Sequence, residues 1–238
     1  MDAVPMHYHA RVSTVSPVKA SLTQSAYERL RADVLACHFE PDQRLNISEL
    51  CETLGVSLGA VREALSRLTS EGLVVAEPQR GFRVAQVSPQ DLHDLYSARI
   101  EIESLCLRRS IEVGTLAWES RLVAAYYSIS KTPEYVTPEG SSCRDEWLQR
   151  HADFHAALVS GCDNAWLLRM RAQLFDHAQR YRRLSVSLSR TKRNVNKEHK
   201  DLMEAALARD ADRATALMRE HLQLTTKILL KSIADSKK

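Results

Sequence analysis

Four of the nine histidines in this 238-residue chain stand where side chains of that type can act together. His151 and His155 are four residues apart in a helical pattern, so they project from one face about 6 Å apart, a spacing that suits two ligands of one metal ion. His199 and His221 lie on either side of the turn Arg209-Asp210-Ala211, which puts them on adjacent antiparallel helices where they can meet at one level. Two helices of a hairpin giving one imidazole each, and a third giving a pair, would make a tetrahedral or open octahedral nitrogen site inside a bundle. Each histidine taken singly reads more readily as a hydrogen-bonded core or surface residue than as a ligand. Asp153, two residues from each of the first pair, faces away on the helix and is a poor ligand.

Arginines supply the other half of a pocket argument, because a planar guanidinium matches a carboxylate with paired donors. Arg99 sits in SARIEIESL, and Tyr181-Arg182 lies toward the end of a long helical stretch. The plain alternative for Arg99 is an i,i+4 ion pair with Glu103, worth only tenths of a kcal/mol on a surface. For Arg182 it is a solvated basic face shared with Arg180 and Arg183.

These residues need helices to position them, and everything after Ser88 reads as all-α. Ser88-Pro89-Gln90-Asp91 is a strong helix start, with Ser as cap, Pro at the first helical position and an acid in the first turn. Helices are expected at about 89 to 113, 115 to 130, 143 to 160, 164 to 190, 194 to 209 and 211 to 235, with Pro133 and Pro138 marking a loop. Six antiparallel helices with short turns make a bundle. Leu202, Ala205, Ala206, Leu217 and Met218 read as its core rather than as an interface.

The preceding stretch, NISELCETLGVSLGAVREALSRLTSEGLVVAEPQRGFRV from Asn46 to Val84, has its parts in the order of a winged helix-turn-helix. Asn46 and Glu49 have capping-box spacing, and Gly55 stops the short helix they begin. Ser57 caps a second helix in which Val61, Ala64, Leu65 and Leu68 form a buried face, leaving Ser57, Arg62, Ser66 and Arg67 outward. Leu73 to Ala76 and Phe82 to Val84 are short β-rich runs joined by Glu77-Pro78-Gln79-Arg80-Gly81, in which Pro and Gly fix the turn and Arg80 sits near the tip. In this geometry the second helix enters the major groove by its N-terminal end while the hairpin rides beside the backbone, so Arg62 is the leading base or phosphate contact. A further helix from Ser21 to His38 is expected ahead of this stretch, capped by Thr23 or Ser25, with Ala26, Leu30, Val34 and Leu35 as its apolar stripe.

Composition sets bounds. A hydrophobic fraction of 44% suffices for proper cores. Net charge is only +3, and residues 1–87 hold 9 Lys+Arg against 10 Asp+Glu, so DNA binding rests on local placement of Arg62, Arg67, Arg80 and Arg83 rather than on bulk charge. So few cations per protomer call for a dimer. The five cysteines, Cys37, Cys51, Cys106, Cys143 and Cys162, include no Cys-x-x-Cys pair and read as reduced apolar fillers. No signal peptide and no apolar run near 18 residues is present, which points to a cytoplasmic protein with no membrane partner. The divisions expected are a flexible arm at 1–20, a winged helix-turn-helix at 21–87 and an all-α effector-binding and dimerisation domain at 88–238.

GVSLGAVREAL followed by GLVVAEPQRGFRV resembles the N-terminal domain of the GntR family of bacterial transcription factors. Many relatives place an Arg just after the Ser of GVS, whereas Leu58 and Gly59 occupy the next two positions in this chain, so the operator need not follow the commonest family consensus. The resemblance implies a DNA-reading set of Ser57, Leu58, Gly59, Arg62, Arg67, Arg80 and Gly81. The number and order of the later helices, with EHKDLMEAALARDADRATALMREHL, resemble the effector-binding domain of the FadR-type (FCD) branch. Together the two resemblances cover nearly all of residues 22 to 230.

That branch commonly holds a divalent metal through an acid or Asn, a His four residues on and two further His. Position by position this implies His155, His199 and His221, with His151 where the oxygen ligand usually stands; the rival reading is that His151 is displaced and only three His bind. Imidazole in place of a hard oxygen shifts preference toward zinc, nickel or copper, zinc or nickel being favoured, and away from manganese or magnesium. It also removes a negative charge and leaves the pocket friendlier to an acidic ligand. In relatives an Arg of the first bundle helix often meets the effector's carboxylate, which implies Arg99, with Tyr181 and Arg182, as the effector set. EWLQRHADFHAALVSGC followed by LLRMRAQLFDHAQRYR is similar to a repressor of this branch that responds to glutarate, implying a short dicarboxylate such as glutarate or 2-hydroxyglutarate, with an aromatic acid as the alternative.

The expected function is therefore a ligand-responsive regulator, a repressor that binds a double-stranded DNA operator as a homodimer and is released by a small carboxylate. A constitutive DNA-binding dimer with a structural metal is the competing reading. A metal-dependent hydrolase is disfavoured, since the chain has no His-Glu-x-x-His, no nucleophile elbow and no phosphate-cradling Gly loop, with 7 Gly in all.

Overall fold

The first helix starts where its sequence places it, but on a different cap. Ser21, rather than Thr23 or Ser25, caps α1 (Leu22–Leu35): its backbone is extended and its hydroxyl accepts from Gln24 N at 3.1 Å. Ala26, Leu30 and Val34 are buried as the stripe requires, and the helix stops three residues short of His38, where Cys37 takes a positive φ of 60°. The computed structural model describes residues 21–134, 145–185 and 193–235, so the expected arm at 1–20, Pro138 and Cys143 lie outside the described residues.

After α1 come β1 (Arg44–Leu45), α2 (Ile47–Leu54), α3 (Leu58–Ser70), β2 (Val74–Glu77) and β3 (Gly81–Val84). Asn46 caps α2 by accepting from Ser48 N at 3.0 Å. Its box closes differently from the usual one, since Glu49 receives the Asn46 side-chain amide at 2.8 Å rather than the backbone N–H. Gly55 ends α2 at φ 65°, a left-handed conformation that costs an L side chain. The wing is a three-stranded antiparallel sheet in the order β1-β3-β2, with Val74 opposite Val84 and Leu45 opposite Phe82. The sequence reading missed β1, which is two residues long and too short to show alternation. Leu30, Leu45, Val61, Leu65, Leu68 and Val84 belong to one buried cluster under these elements.

The second part is helical throughout its described residues: α4 (Pro89–Val113), α5 (Leu116–Lys131), α6 (Asp145–Val159), α7 (Ala165–Ser185), α8 (Val195–Leu207) and α9 (Ala211–Asp235). Ser88 caps α4 as expected, accepting from Asp91 N at 3.0 Å with Pro89 in the first turn. Thr115, Asn194 and Asp210 start α5, α8 and α9 by the same physics, their side-chain oxygens accepting first-turn N–H groups. α4 packs along α9 and α7, α5 along α6, and α8 along α9, around a separate core that contains Trp118, Trp147, Phe154, Leu202 and Met218. Leu202, Ala205, Ala206 and Met218 are fully buried and Leu217 is half-buried. Cys106 and Cys162 are buried free thiols, and burial with Cys162 beside it pushes the Cys106 thiol up to about 12, which keeps it protonated and inert. Among the described residues no helix is long and apolar enough to cross a membrane.

Candidate functional site

Two regions carry chemistry. In the first, Ser57 caps α3 through Ala60 N at 3.3 Å, and Val61, Ala64, Leu65 and Leu68 are wholly buried beneath it. Ser57, Leu58, Gly59 and Arg62 are exposed along the outer face at its N-terminal end. Across an open cleft of about 490 Å³ the wing presents Glu77, Pro78, Gln79 and Gly81, with Arg62 on the opposite wall. Gln79 and Gly81 both take positive φ, which turns the tip and leaves Arg80 exposed. Arg67 is placed differently from the reading that put it on DNA. Its guanidinium lies 3.7 Å from the Tyr27 ring centroid and donates to Gln24 Oε1 at 2.8 Å, so it folds back onto α1. Arg83 is likewise spent within the wing, on Glu77 at 3.1 Å and the Asp42 carbonyl at 2.9 Å.

The second region lies in the bundle. His151 and His155 on α6, His199 on α8 and His221 on α9 are all buried, and each offers a ring nitrogen within 4.8 Å of the others. Ring centroids are 4.5 Å apart for His151–His155 and 5.1 Å for both His155–His221 and His199–His221. Both nitrogens of His151, His155 and His199, and Nε2 of His221, have no hydrogen-bond partner among the described residues. Burial, together with the charge of neighbouring arginines and of one another, holds all four imidazoles below their ordinary pKa, His221 at about 4. They are neutral and carry free lone pairs, the state a metal requires.

His221 is oriented by a second layer. Glu198 Oε2 lies 2.8 Å from its Nδ1, and Arg193 holds Glu198 at 2.5 Å while also donating to the His221 carbonyl at 3.0 Å. Arg193 Nη2 also lies 3.1 Å from Nδ1, but the nearer partner is the carboxylate, which only accepts, so the Nδ1 proton goes to Glu198 and Nε2 keeps its lone pair. The Arg193 ion pair and the two hydrogen bonds to Glu198 keep that carboxyl down at about 2 against its desolvation. Asp153, as expected, takes no part and faces solvent beside Gln149.

Arginines border the cluster at both ends. Arg99 does pair with Glu103, at 3.2 Å, but neither group is at the surface: their side chains are 4% and 0% exposed. Arg99 also lies 4.8 Å from the Phe175 centroid, and Phe175 lies 6.2 Å from His155. Arg182 is buried, not part of a solvated face, and stands 5.6 Å from the Trp147 ring, which stacks on His151 at 4.9 Å. Its neighbours divide: Arg180 is buried with Nη2 on the Ala85 carbonyl at 2.8 Å, and Arg183 pairs with Asp145 at 2.7 Å.

Tyr181 is fixed by structural partners. Its hydroxyl donates to Asp91 Oδ2 at 2.5 Å and accepts from Ser88 N at 3.2 Å, so its proton is taken and it fastens α7 to the start of α4. This belongs to a wider arrangement. One face of α7, at Arg171, Phe175, Ala178 and Arg182, is buried in the bundle at helical spacing. The adjoining face meets the winged part: Asp176 pairs with Arg31 at 2.5 Å, and His177 Nε2 donates to the Glu71 carbonyl at 2.8 Å. The sequence reading missed Arg171, Arg193 and Glu198. Glu198 had a signal, being next to His199; Arg171 had one too, four and eleven residues before Phe175 and Arg182.

A winged helix-turn-helix joined to a six-helix bundle with a buried cluster of histidines defines a class: DNA-binding regulators with a helical small-molecule domain. The chain belongs to the GntR family, matching "Bacterial regulatory proteins, gntR family" over residues 22–84 and the FCD domain over residues 94–224. It is 39% identical over 209 residues to the HTH-type transcriptional regulator BphR of Paraburkholderia xenovorans, covering 88% of this chain and 85% of that one. It is 38% identical to the HTH-type transcriptional repressor GlaR of Escherichia coli K12, covering 87% and 96%. Among solved structures, E. coli McbR/YncC shares the fold with a TM-score of 0.73 at 22% identity, over 90% of this chain and 99% of that one. These relatives are regulators of transcription, and the chain is not an enzyme.

Proposed function

We propose that this protein is a repressor that binds a double-stranded DNA operator as a homodimer and leaves it when a small carboxylate enters the bundle, a short dicarboxylate such as glutarate or 2-hydroxyglutarate being favoured. The observation that carries this reading is four buried imidazoles that each bring one ring nitrogen within 4.8 Å of the others, seven of their eight nitrogens having no hydrogen-bond partner among the described residues, because buried polar atoms are otherwise almost always satisfied. Their chemistry fits a divalent ion. His151, His155, His199 and His221 would hold it, and neutral imidazoles without a carboxylate favour zinc or nickel over manganese or magnesium. When bound, the ion supplies positive charge that attracts an anionic ligand.

The chain's own residues do the rest. Glu198 and Arg193 fix the tautomer of His221. Arg99 and Arg182, buried at the two ends of the cluster, supply guanidinium donors for a carboxylate. Exposed Arg62 and Arg80, with the α3 N-terminus at Ser57, Leu58 and Gly59 and the wing turn at Gly81, form the DNA surface. The kinship to a repressor at 38% identity supports the direction of control. For the ligand to release DNA, it must bind the released arrangement more tightly than the DNA-bound one.

The test is a thermal melt of metal-analysed protein against glutarate, 2-hydroxyglutarate, benzoate and vanillate. A ligand at 100 times its dissociation constant stabilises by about 2.7 kcal/mol. The expected result is a shift with a dicarboxylate that disappears in His155→Ala and that accompanies loss of operator binding. Metal-loaded protein that shifts with none of these acids would favour the constitutive reading.

A further inference from the structure

The side of the histidine cluster nearest Phe175 holds more positive charge than it can use. Arg99 and Arg171 stand on the same ring, 4.8 and 4.4 Å from its centroid, and share one carboxylate, Glu103. All three are buried: the side chains of Arg99, Glu103 and Arg171 are 4%, 0% and 8% exposed. Arg99 donates to Glu103 Oε1 through Nε at 3.3 Å and Nη2 at 3.2 Å. Arg171 Nε also lies 3.1 Å from that oxygen, but it is not aligned to donate, and neither its Nε nor its Nη2 has a hydrogen-bond partner among the described residues.

Two guanidiniums face one carboxylate, leaving one buried positive charge without a counter-ion among the described residues at that spot. An uncompensated buried charge is costly, and so is a buried N–H without an acceptor. One carboxylate brought by a ligand would answer both.

We infer that Arg171 binds a second anionic group of the effector, so that the site is built for a ligand with two separated carboxylates, one toward the histidine cluster and one at Arg171. The inference rests on the carboxylate reading above and narrows it. Phe175 links the two anchors: its ring is 6.2 Å from the His155 ring and 4.4 Å from the Arg171 guanidinium. A monocarboxylate of equal length satisfies one anchor and leaves Arg171 as it is. A ligand with two carboxylates satisfies both.

The experiment compares glutarate with pentanoate, which has the same carbon chain and one carboxylate fewer, by calorimetric titration of full-length, metal-loaded protein. Wild type is expected to prefer glutarate by at least about tenfold, the size of one hydrogen-bonded charge contact. In Arg171→Gln that preference collapses to about twofold or less, through loss of glutarate affinity alone, while metal content and pentanoate affinity stay the same; Arg171→Lys, which keeps the charge but not the fork, retains part of it. Equal wild-type affinity for the two acids would overturn the inference and leave the carboxylate reading standing. So would an Arg171→Gln protein that loses both acids in parallel, or neither. Metal-loaded wild type that binds neither acid would overturn this inference together with the short-dicarboxylate reading it rests on.

Discussion

Arg31 on α1 and Asp176 on α7 form an ion pair of 2.5 Å between the winged part and the bundle. Arg31 holds Glu71, at the end of α3, with its other edge at 2.8 Å, and the Glu71 carbonyl in turn accepts from His177. A single helix therefore carries Arg171, Phe175 and Arg182 on the histidine side and Asp176 and His177 on the DNA side. Any rotation of α7 that follows ligand binding must move or break those contacts to α1 and α3. That is a physical route for coupling, and it makes a prediction. Asp176→Ala should weaken the effect of the ligand on operator affinity by about tenfold, roughly 1.4 kcal/mol, while ligand affinity changes little. Operator titrations with and without glutarate measure it; unchanged coupling would remove α7 as the connection.

The two arginines of α3 separate a DNA contact from a scaffold contact. Arg62 is exposed and faces the wing across the cleft, whereas Arg67 is stacked on Tyr27. Arg62→Ala should cost operator affinity about 1 to 3 kcal/mol if it meets a base, or lower the slope of log affinity against log salt by about 1 if it meets a phosphate. Arg67→Ala should leave that slope unchanged and cost about 1 kcal/mol of folding stability through the lost cation–π contact. A salt titration of both variants decides between them, and an altered slope for Arg67→Ala would mean that its guanidinium leaves Tyr27 for a phosphate.

What the sequence disclosed follows from the range of the interactions involved. Helices announce themselves locally, through caps such as Ser57 and Ser88 and through repeats such as Val61, Ala64, Leu65 and Leu68, so the order of elements was legible. The histidine set was legible because i,i+4 spacing and a hairpin fix relative position without tertiary knowledge. The contacts of Arg67 and Tyr181 and the burial of Arg182 were not, since each side chain is long enough to choose between two directions and its partner lies far along the chain: Tyr27, Asp91 and Trp147 respectively. The sequence spacing of Arg99 and Glu103 suggests a weak surface ion pair. Its burial changes what it means, because a desolvated pair shared with Arg171 has charge left over.

Gly114 marks a close approach rather than a turn. A Cβ there would stand 2.3 Å from the Ser110 carbonyl oxygen and 2.4 Å from the Trp118 ring. Neither can give way, since Ser110 O closes the end of α4 and Trp118 Nε1 is tied to the Ala157 carbonyl at 3.0 Å. Gly114→Ala should therefore destabilise by about 1 to 3 kcal/mol, the cost of overpacking a fitted core, instead of giving the small gain usual for Gly→Ala in a permitted conformation. Denaturant unfolding reads it directly, and a neutral result would mean that α4 and α5 can shift apart.

Acid should destabilise the chelated protein in a defined window. A histidine that protonates at about 6.5 when unfolded but well below that when buried takes up protons on unfolding as pH falls. The stability it contributes is present above 6.5 and is lost between 6.5 and its folded value, which for His221 is about 4. His151, His155 and His199 are depressed in the same direction by burial and by each other, so all four act together, each adding at most about 1.4 kcal/mol per pH unit. Glu198, held near 2 by Arg193 and His221, adds a loss of its own only below about 4.5. The melting temperature of protein stripped with a chelator should thus fall steeply from pH 7 to pH 5, before any carboxylate titrates. Replacing His151 and His155 together by Gln should flatten that slope, because the unfolded chain then gains fewer protons. A slope unaffected by the double replacement would mean that the acid sensitivity arises outside the cluster.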